Sequence, residues 1–184
     1  MYNASVLTNN ASAVFPCPYL TNASMYNAYL CNQLPNQNLR FAPPNTGNPI
    51  VLRDYGPNPF VVNIEQASKQ NNNYRLALWT GTYLQLTLMS INVGEDIGLE
   101  MHPDLDQFIR IEQGQGLVRM GNTKDNLNFQ ANVRDDFAFI IPAGKWHNLI
   151  NAGNVPIKLY SIYAPPQHPF GTIHQTKADA EEHH

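Results

Sequence analysis

The stretch GLEMHPDLDQ, residues 98–107, places three polar side chains at spacings that suit metal coordination. Glu100 and His102 are two positions apart, so on an extended strand both side chains project from the same face. Gln107 follows a short turn and can point back into the same space if a strand begins there. A carboxylate oxygen, an imidazole nitrogen and an amide oxygen can all coordinate a divalent ion.

A second stretch, PAGKWHNLIN at residues 142–151, supplies a further imidazole just after a Pro-x-Gly turn. If both stretches line one small β-barrel, two neutral nitrogens, one charged oxygen and one amide oxygen converge inside it. The predicted metal ligands are Glu100, His102, Gln107 and His147. This set suits one divalent ion, zinc first and manganese, iron or nickel as alternatives, with one or two positions open to water or substrate.

Short strands must position these side chains. From residue 82 onward, runs rich in β-branched, aromatic and aliphatic residues are separated by Gly, Asn, Asp and Pro. These runs are TYLQLTLMSI, QFIRIEQ, GLVRMG, FAFIIPAG, WHNLIN and IKLYSIYAP, and their regular spacing predicts a sandwich or barrel of antiparallel strands. One helix is predicted before them, because Asn63 can act as its N-cap with Gln66 three residues later, and the pattern fades at Asn71–Asn73.

The first of the two stretches resembles the first motif of the cupin family, which is written G-x5-H-x-H-x4-E-x6-G. Gly94, His102 and Gly114 occupy fixed positions of that motif. Glu100 stands where the motif has its first His, and Gln107 stands where it has Glu. One imidazole of the usual ligand set is thereby exchanged for an amide, while the single carboxylate is kept.

The second stretch resembles the second cupin motif, G-x5-P-x-G-x2-H-x3-N. Asp136 stands in place of its first glycine, and the other fixed positions are matched by Pro142, Gly144, His147 and Asn151. The resemblance covers roughly residues 80–166 and implies an all-β fold. That fold is a double-stranded β-helix, or jelly-roll barrel, here with one helix and an irregular N-terminal arm. The resemblance also implies bound metal, since all four ligand positions hold side chains that can coordinate.

The mixed ligand set and the run MHPD are similar to type I mannose-6-phosphate isomerases, which are cupins that hold zinc with Gln, His, Glu and His. This resemblance implies a metal-dependent isomerase or epimerase that acts on a sugar or sugar phosphate. Two other classes of function remain open: an oxygen-dependent enzyme of the non-haem iron type, and a non-enzymatic binding or assembly protein of a bacterial spore or surface layer. No catalytic base can be assigned, and Lys145 and Arg119 are the cations nearest the motifs.

Residues 1–49 differ in composition from the rest, with no Asp, Glu or Lys, a single Arg, and many Asn, Ala, Tyr and Pro. We expect an N-terminal arm here, the barrel with its preceding helix at residues 50–166, and a C-terminal extension and tail at residues 167–184. His183 and His184 can be the remnant of an affinity tag. Since cupin barrels commonly pair by sheet extension and an uncharged arm can pack on a partner, a homodimer is expected.

Net charge and hydropathy limit the classes of binding partner and the cellular locations that we expect for this protein. The formal net charge is -3 and the 11 Lys and Arg are scattered, which argues against a nucleic-acid partner. No run of about 18 apolar residues is present, so no membrane partner is expected. The start MYNASVLTNN lacks the features of a secretory signal, which predicts a cytoplasmic protein, with a spore or surface layer as the alternative. The expected partner is a small molecule.

Residues outside the two motifs give weaker indications of a role in the site. Trp146, Tyr160 and Tyr163 can either line the pocket or pack in the core, and the sequence leaves both open. His168 and His174 lie beyond the barrel in a Pro-rich segment, and we expect both at the surface.

Overall fold

The structure is a computed structural model that describes residues 48–182. Within this range the helices are α1 (Ile64–Gln70) and α2 (Lys177–Glu181). The strands are β1 (Arg75–Thr80), β2 (Gln85–Ile91), β3 (Asp106–Gln113), β4 (Gln115–Gly121), β5 (Phe129–Arg134), β6 (Ala138–Ile141), β7 (Trp146–Asn151), β8 (Ile157–Ala164) and β9 (Ile173–His174). The predicted all-β class is confirmed, and α2 adds one short helix. Neither helix is long and apolar enough to cross a membrane.

Nearly all of the expected N-terminal arm, residues 1–49, lies outside the described residues, as do His183 and His184. The predictions made for them are therefore not addressed by the structure.

Two antiparallel sheets face each other around one core. The larger sheet has the strand order β6-β3-β8-β2-β1-β9, and the smaller has the order β5-β4-β7. Residues 94–102 run antiparallel to β7 as an irregular fourth strand. Ile97 N–H donates to the Leu149 carbonyl (3.1 Å), and Asn151 N–H donates to the Glu95 carbonyl (2.9 Å). This arrangement is the predicted double-stranded β-helix.

Strand β2 shows how side chains are sorted between the inside and the outside of the barrel. Leu86 and Leu88 belong to an apolar cluster between the outer face of β1 and β2 and the segment that carries α1. Met89 and Ile91 belong to the core between the sheets. Because successive side chains alternate, buried Thr87 shares the inner face with Met89, which gives one end of the barrel a polar lining.

Helix α1 begins as the sequence predicts. The Asn63 side chain accepts a hydrogen bond from Gln66 N–H (3.0 Å), while the Gln66 side chain donates to the Asn48 carbonyl (3.4 Å) and so does not complete a capping box. The helix ends at Asn71, whose carbonyl accepts a hydrogen bond from the buried Lys158 ammonium. This bond ties the end of α1 to β8.

The turn positions of the two motifs carry left-handed backbone. Gly94, Gly114 and Gly144 have φ of 79°, 90° and 78°. Asp136, which replaces a motif glycine, has φ of 69° and is the one non-glycine residue of the described chain with positive φ. Asp tolerates this region better than most residues, and its carboxylate accepts a hydrogen bond from Arg110 Nη2 (2.7 Å).

The last residue of the second motif, Asn151, organises the loop that follows β7. Its buried side-chain amide donates to the carbonyls of Ile91 and Val155, both at 2.9 Å, and its oxygen accepts from Gly153 N–H at 2.9 Å. The role of this residue is therefore to hold the β7–β8 connection against β2.

Candidate metal centre

Three of the predicted ligands converge at the polar end of the barrel. The Glu100 Oε1 atom lies 3.6 Å from His102 Nε2 and 3.5 Å from His147 Nε2. One possible ligand atom from each of the three residues falls within 4.8 Å of the other two, so together they could hold a metal ion. Both histidines are buried and the glutamate is partly exposed.

Backbone pairing between the two motifs sets this convergence. Glu100 and His147 form an antiparallel bridge in which each N–H donates to the other's carbonyl, at 3.1 Å and 2.9 Å. Farther along, the His102 carbonyl accepts a hydrogen bond from Gly144 N–H (2.7 Å). Because residues 100 and 102 share a face and residue 147 stands opposite, all three side chains enter the barrel together.

A hydrogen bond assigns the tautomer of His147. Its Nδ1 lies 2.9 Å from the Lys145 carbonyl, which can only accept, so Nδ1 carries the proton of the neutral ring and Nε2 carries the lone pair. That lone pair faces the Glu100 carboxylate. The two atoms, 3.5 Å apart, repel each other unless a proton on Nε2 or a metal ion lies between them. Neither this Nε2 nor that of His102 has a hydrogen-bond partner within residues 48–182.

The separations fit a bound ion. Ligands held about 2.1 Å from one metal lie about 3.0 Å apart in an octahedral site and about 3.4 Å apart in a tetrahedral one, close to the observed 3.5 and 3.6 Å. Burial opposes ionisation of Glu100, but hydrogen bonds donated by the His102 and His147 rings, when their Nε2 atoms carry protons, and the nearby Arg75 guanidinium outweigh it and hold the pKa of this carboxyl well below its usual range. With both Nε2 protons displaced by a metal ion, the residues would present one anionic and two neutral ligands.

Gln107 stands on the inner face of β3 and is buried. Its amide nitrogen donates to Ser161 Oγ (2.9 Å), which orients the side chain and leaves the carbonyl oxygen without a partner among the described residues. Gln107 is paired across the sheet with Tyr163, whose ring contacts the His102 ring edge-on at 5.8 Å. Its oxygen is thus free to serve as a fourth ligand.

Of the three aromatic residues considered from the sequence, Tyr163 belongs to the site. Burial raises the pKa of its phenol, so the hydroxyl stays protonated, and its polar neighbours Ser161 and Arg75 make no hydrogen bond of normal length and angle with it. Tyr160 instead packs with the outer apolar cluster, beside Phe108.

The expectation that His168 and His174 lie at the surface is wrong. His174 is 8% exposed and its strand β9 pairs with β1. The half-buried His168 ring packs edge-on against Tyr163 at 5.2 Å, and burial lowers the pKa of its imidazole to about 3. The backbone N–H and carbonyl of His168 both bond the Gln85 side chain, at 2.9 and 2.8 Å. The C-terminal extension thus closes over the barrel mouth.

The cation in this pocket is Arg75, which the sequence patterns do not single out. It is 1% exposed, on the inner face of β1, and it lines the same cavity as Glu100 and His102. Lys145, which was considered from the sequence, instead donates to Asn122 and borders a different cavity. The sequence did contain one indication, an Arg at the start of the apolar run RLALWT. Arg is rarely buried in a protein core, so its presence on an apolar strand indicates a functional or structural role.

A cavity of about 350 Å³ opens over the ligands. Its far wall is helix α2, which contributes Lys177, Ala180 and Glu181. The Lys177 ammonium forms a salt bridge with Asp96, whose carboxylate also accepts a hydrogen bond from Gly98 N–H (2.7 Å). The end of the described chain is thereby fixed against the loop that leads into the first motif.

Residues 87–163 match the family model described as "Cupin domain". Among curated proteins, the uncharacterized protein YrkC of Bacillus subtilis is 69% identical over 131 residues, which cover 71% of this chain and 70% of that protein. An uncharacterized protein of Acanthamoeba polyphaga mimivirus is 42% identical over 115 residues, covering 62% of this chain and 70% of that protein.

Among solved structures, the crystal structure of BH2720 from Bacillus halodurans matches with a TM-score of 0.71 and 66% identity. The match covers 71% of this chain and 99% of the BH2720 chain.

Proposed function

This chain belongs to the cupin family, and on that premise we propose that it is a metal-dependent enzyme acting on a small polar metabolite at the mouth of its barrel. One observation carries the proposal. The Glu100 carboxylate lies 3.6 Å from His102 Nε2 and 3.5 Å from His147 Nε2. Neither nitrogen has a hydrogen-bond partner among the described residues, and a single metal ion could bind all three groups at these separations.

Glu100, His102 and His147 would hold the ion, with the Gln107 oxygen as a fourth ligand. Zinc is the first choice, and manganese, iron or nickel are alternatives. When bound, a divalent ion polarises a carbonyl or hydroxyl oxygen of the substrate. The protein's own contribution is to exclude water at the buried ligands, to fix the His102 ring against the Tyr163 ring, and to orient the substrate in the cavity beside Glu100 and His102.

The reaction class we favour is isomerisation or epimerisation of a sugar or sugar phosphate. Support comes from the composition of the ligand set, Gln, His, Glu and His, which the type I mannose-6-phosphate isomerases share. The main alternative is oxygen-dependent chemistry, because the tight cluster consists of two histidines and one carboxylate, the set that non-haem iron oxygenases use.

The test is to purify the full chain without chelator and measure its metals by elemental analysis. Close to one divalent ion per chain is expected. Zinc or manganese, together with NMR-detected conversion within a panel of sugar phosphates, would support the isomerase class. Iron with oxygen uptake would support the alternative. A protein that takes up neither zinc, manganese, nickel nor iron when supplied would contradict metal dependence and favour an assembly role for residues 1–49.

A further inference from the structure

Arg75 is a buried guanidinium without an acidic partner. Its Nε and Nη1 atoms are inaccessible to solvent and donate to no partner among residues 48–182, and none of the ion pairs in that range includes it. The Tyr74 ring lies 5.6 Å from its Cζ atom. A charged side chain is rarely buried unless it is paired, because removing an unpaired charge from water is energetically unfavourable.

The neighbouring charges do not neutralise this guanidinium. Glu100 lies close enough for Arg75 to stabilise its carboxylate, but the carboxylate is directed at the two imidazoles. Asp96 is already paired with Lys177, and Glu181 is exposed at the rim. With a divalent ion bound, one carboxylate opposes the charges of the ion and the guanidinium, which leaves the pocket strongly positive.

We propose that Arg75 binds an oxyanion, a carboxylate or phosphate group, of the small molecule whose other end reaches the metal ligands. This inference rests on the proposed metal-dependent function. A guanidinium donates hydrogen bonds to the oxygens of either group, and a two-oxygen contact here requires the pocket wall to move so that the enclosed Nε and Nη1 reach the ligand. Arg75 and Glu100 line one cavity of about 350 Å³, which is near the lower end for ligand pockets, so both contacts are made by one small anionic metabolite.

The experiment is an NMR titration of the zinc-loaded full chain with three small probes: glycolate, inorganic phosphate and the neutral analogue glycolamide. We expect glycolate or phosphate to bind and glycolamide to bind at least roughly tenfold more weakly. Arg75→Met should weaken anion binding roughly ten- to a hundredfold, while Arg75→Lys retains part of it. Arg134→Met, which removes an exposed arginine of β5, should leave affinity within about twofold of wild type.

Elemental analysis of every variant separates this proposal from the proposed function. If Arg75→Met keeps its metal and binds anions as wild type does, the anion site is refuted and metal dependence stands. Wild type that takes up no metal refutes the proposed function, and the titration of unloaded protein then decides the anion site alone. If Arg75→Met does not fold, Arg75→Lys and the glycolate-glycolamide pair decide it, and equal binding of the two probes overturns the proposal.

Discussion

Glu100 and His147 are opposite partners in a backbone bridge, and each donates its N–H to the other's carbonyl. The main chain, and not attraction between the side chains, therefore places both candidate ligands. A register slip of one residue would turn one of them to the other face. It follows that the ligands can be replaced individually without disturbing the pairing that carries them.

Replacing the ligands should remove metal and spare the fold. We expect His102→Ala and His147→Ala to lower the metal content well below one ion per chain. Glu100→Gln should weaken metal affinity by more than roughly a hundredfold, because mutating even a residue that only hydrogen-bonds to a metal ligand costs about 10–100-fold. Elemental analysis and circular dichroism check this. Glu65→Gln, at an exposed glutamate of α1, is the matched control and should keep its metal.

Gln107→Leu tests the fourth ligand. Loss of the amide oxygen should weaken zinc binding roughly tenfold, measured in competition with a chromophoric chelator, because three ligands remain. Ser161 loses its hydrogen bond, which costs about 1 kcal/mol of unfolding free energy. Unchanged zinc affinity in this variant would restrict Gln107 to its contact with Ser161.

His168 should make the fold sensitive to acid. Its folded pKa of about 3 lies below the ordinary 6.5, so as the pH falls below 6.5 the unfolded chain takes up a proton that the folded chain does not. The contribution of the neutral His168 to the free energy of unfolding is therefore fully present above pH 6.5 and is lost as the pH falls toward 3. Urea unfolding at about pH 7 and about pH 4.5 should show wild type losing about 2 kcal/mol more than His168→Gln. Equal losses would show that the imidazole does not resist protonation.

Asp136 offers a test of the left-handed turn. Asp136→Gly relieves the backbone but loses the contact with Arg110, so we expect the free energy of unfolding to change by less than about 1 kcal/mol. Asp136→Val places a β-branched residue at the same positive φ and should cost about 2 kcal/mol or more. Chemical denaturation of the two variants measures the difference, and similar stabilities would argue against strain at this position.

The homodimer stays a prediction. Light scattering of the full chain should give twice the mass of one chain. A monomer with residues 1–49 intact would count against pairing through the arm or by sheet extension.

The convergence of Glu100, His102 and His147 was predictable because it depends on local spacing. Residues 100 and 102 share a face in any extended segment, and the turn signals around Gly144 place His147 at the start of a strand. Helix α1 was predictable for the same reason, because its N-cap Asn63 bonds a backbone N–H only three residues away.

Arg75 was not predictable by the same means. Strand β1 is buried on both faces and therefore shows no alternation in its sequence. The inner position of Arg75 depends on pairing with Met89 and His174, and the latter lies almost 100 residues away. Strand β5 was not predicted because most of its residues are exposed and polar, so its sequence lacks the apolar residues that indicate a strand.

The position of helix α2 bears on how the protein should be prepared. Because Lys177, Ala180 and Glu181 form one wall of the cavity, a tag placed directly after residue 182 would begin within a few residues of the candidate ligand site. A polyhistidine tag there would bring competing imidazoles to the metal centre and would confound stoichiometry. Metal analysis of the full chain is therefore best repeated on protein that lacks His183 and His184.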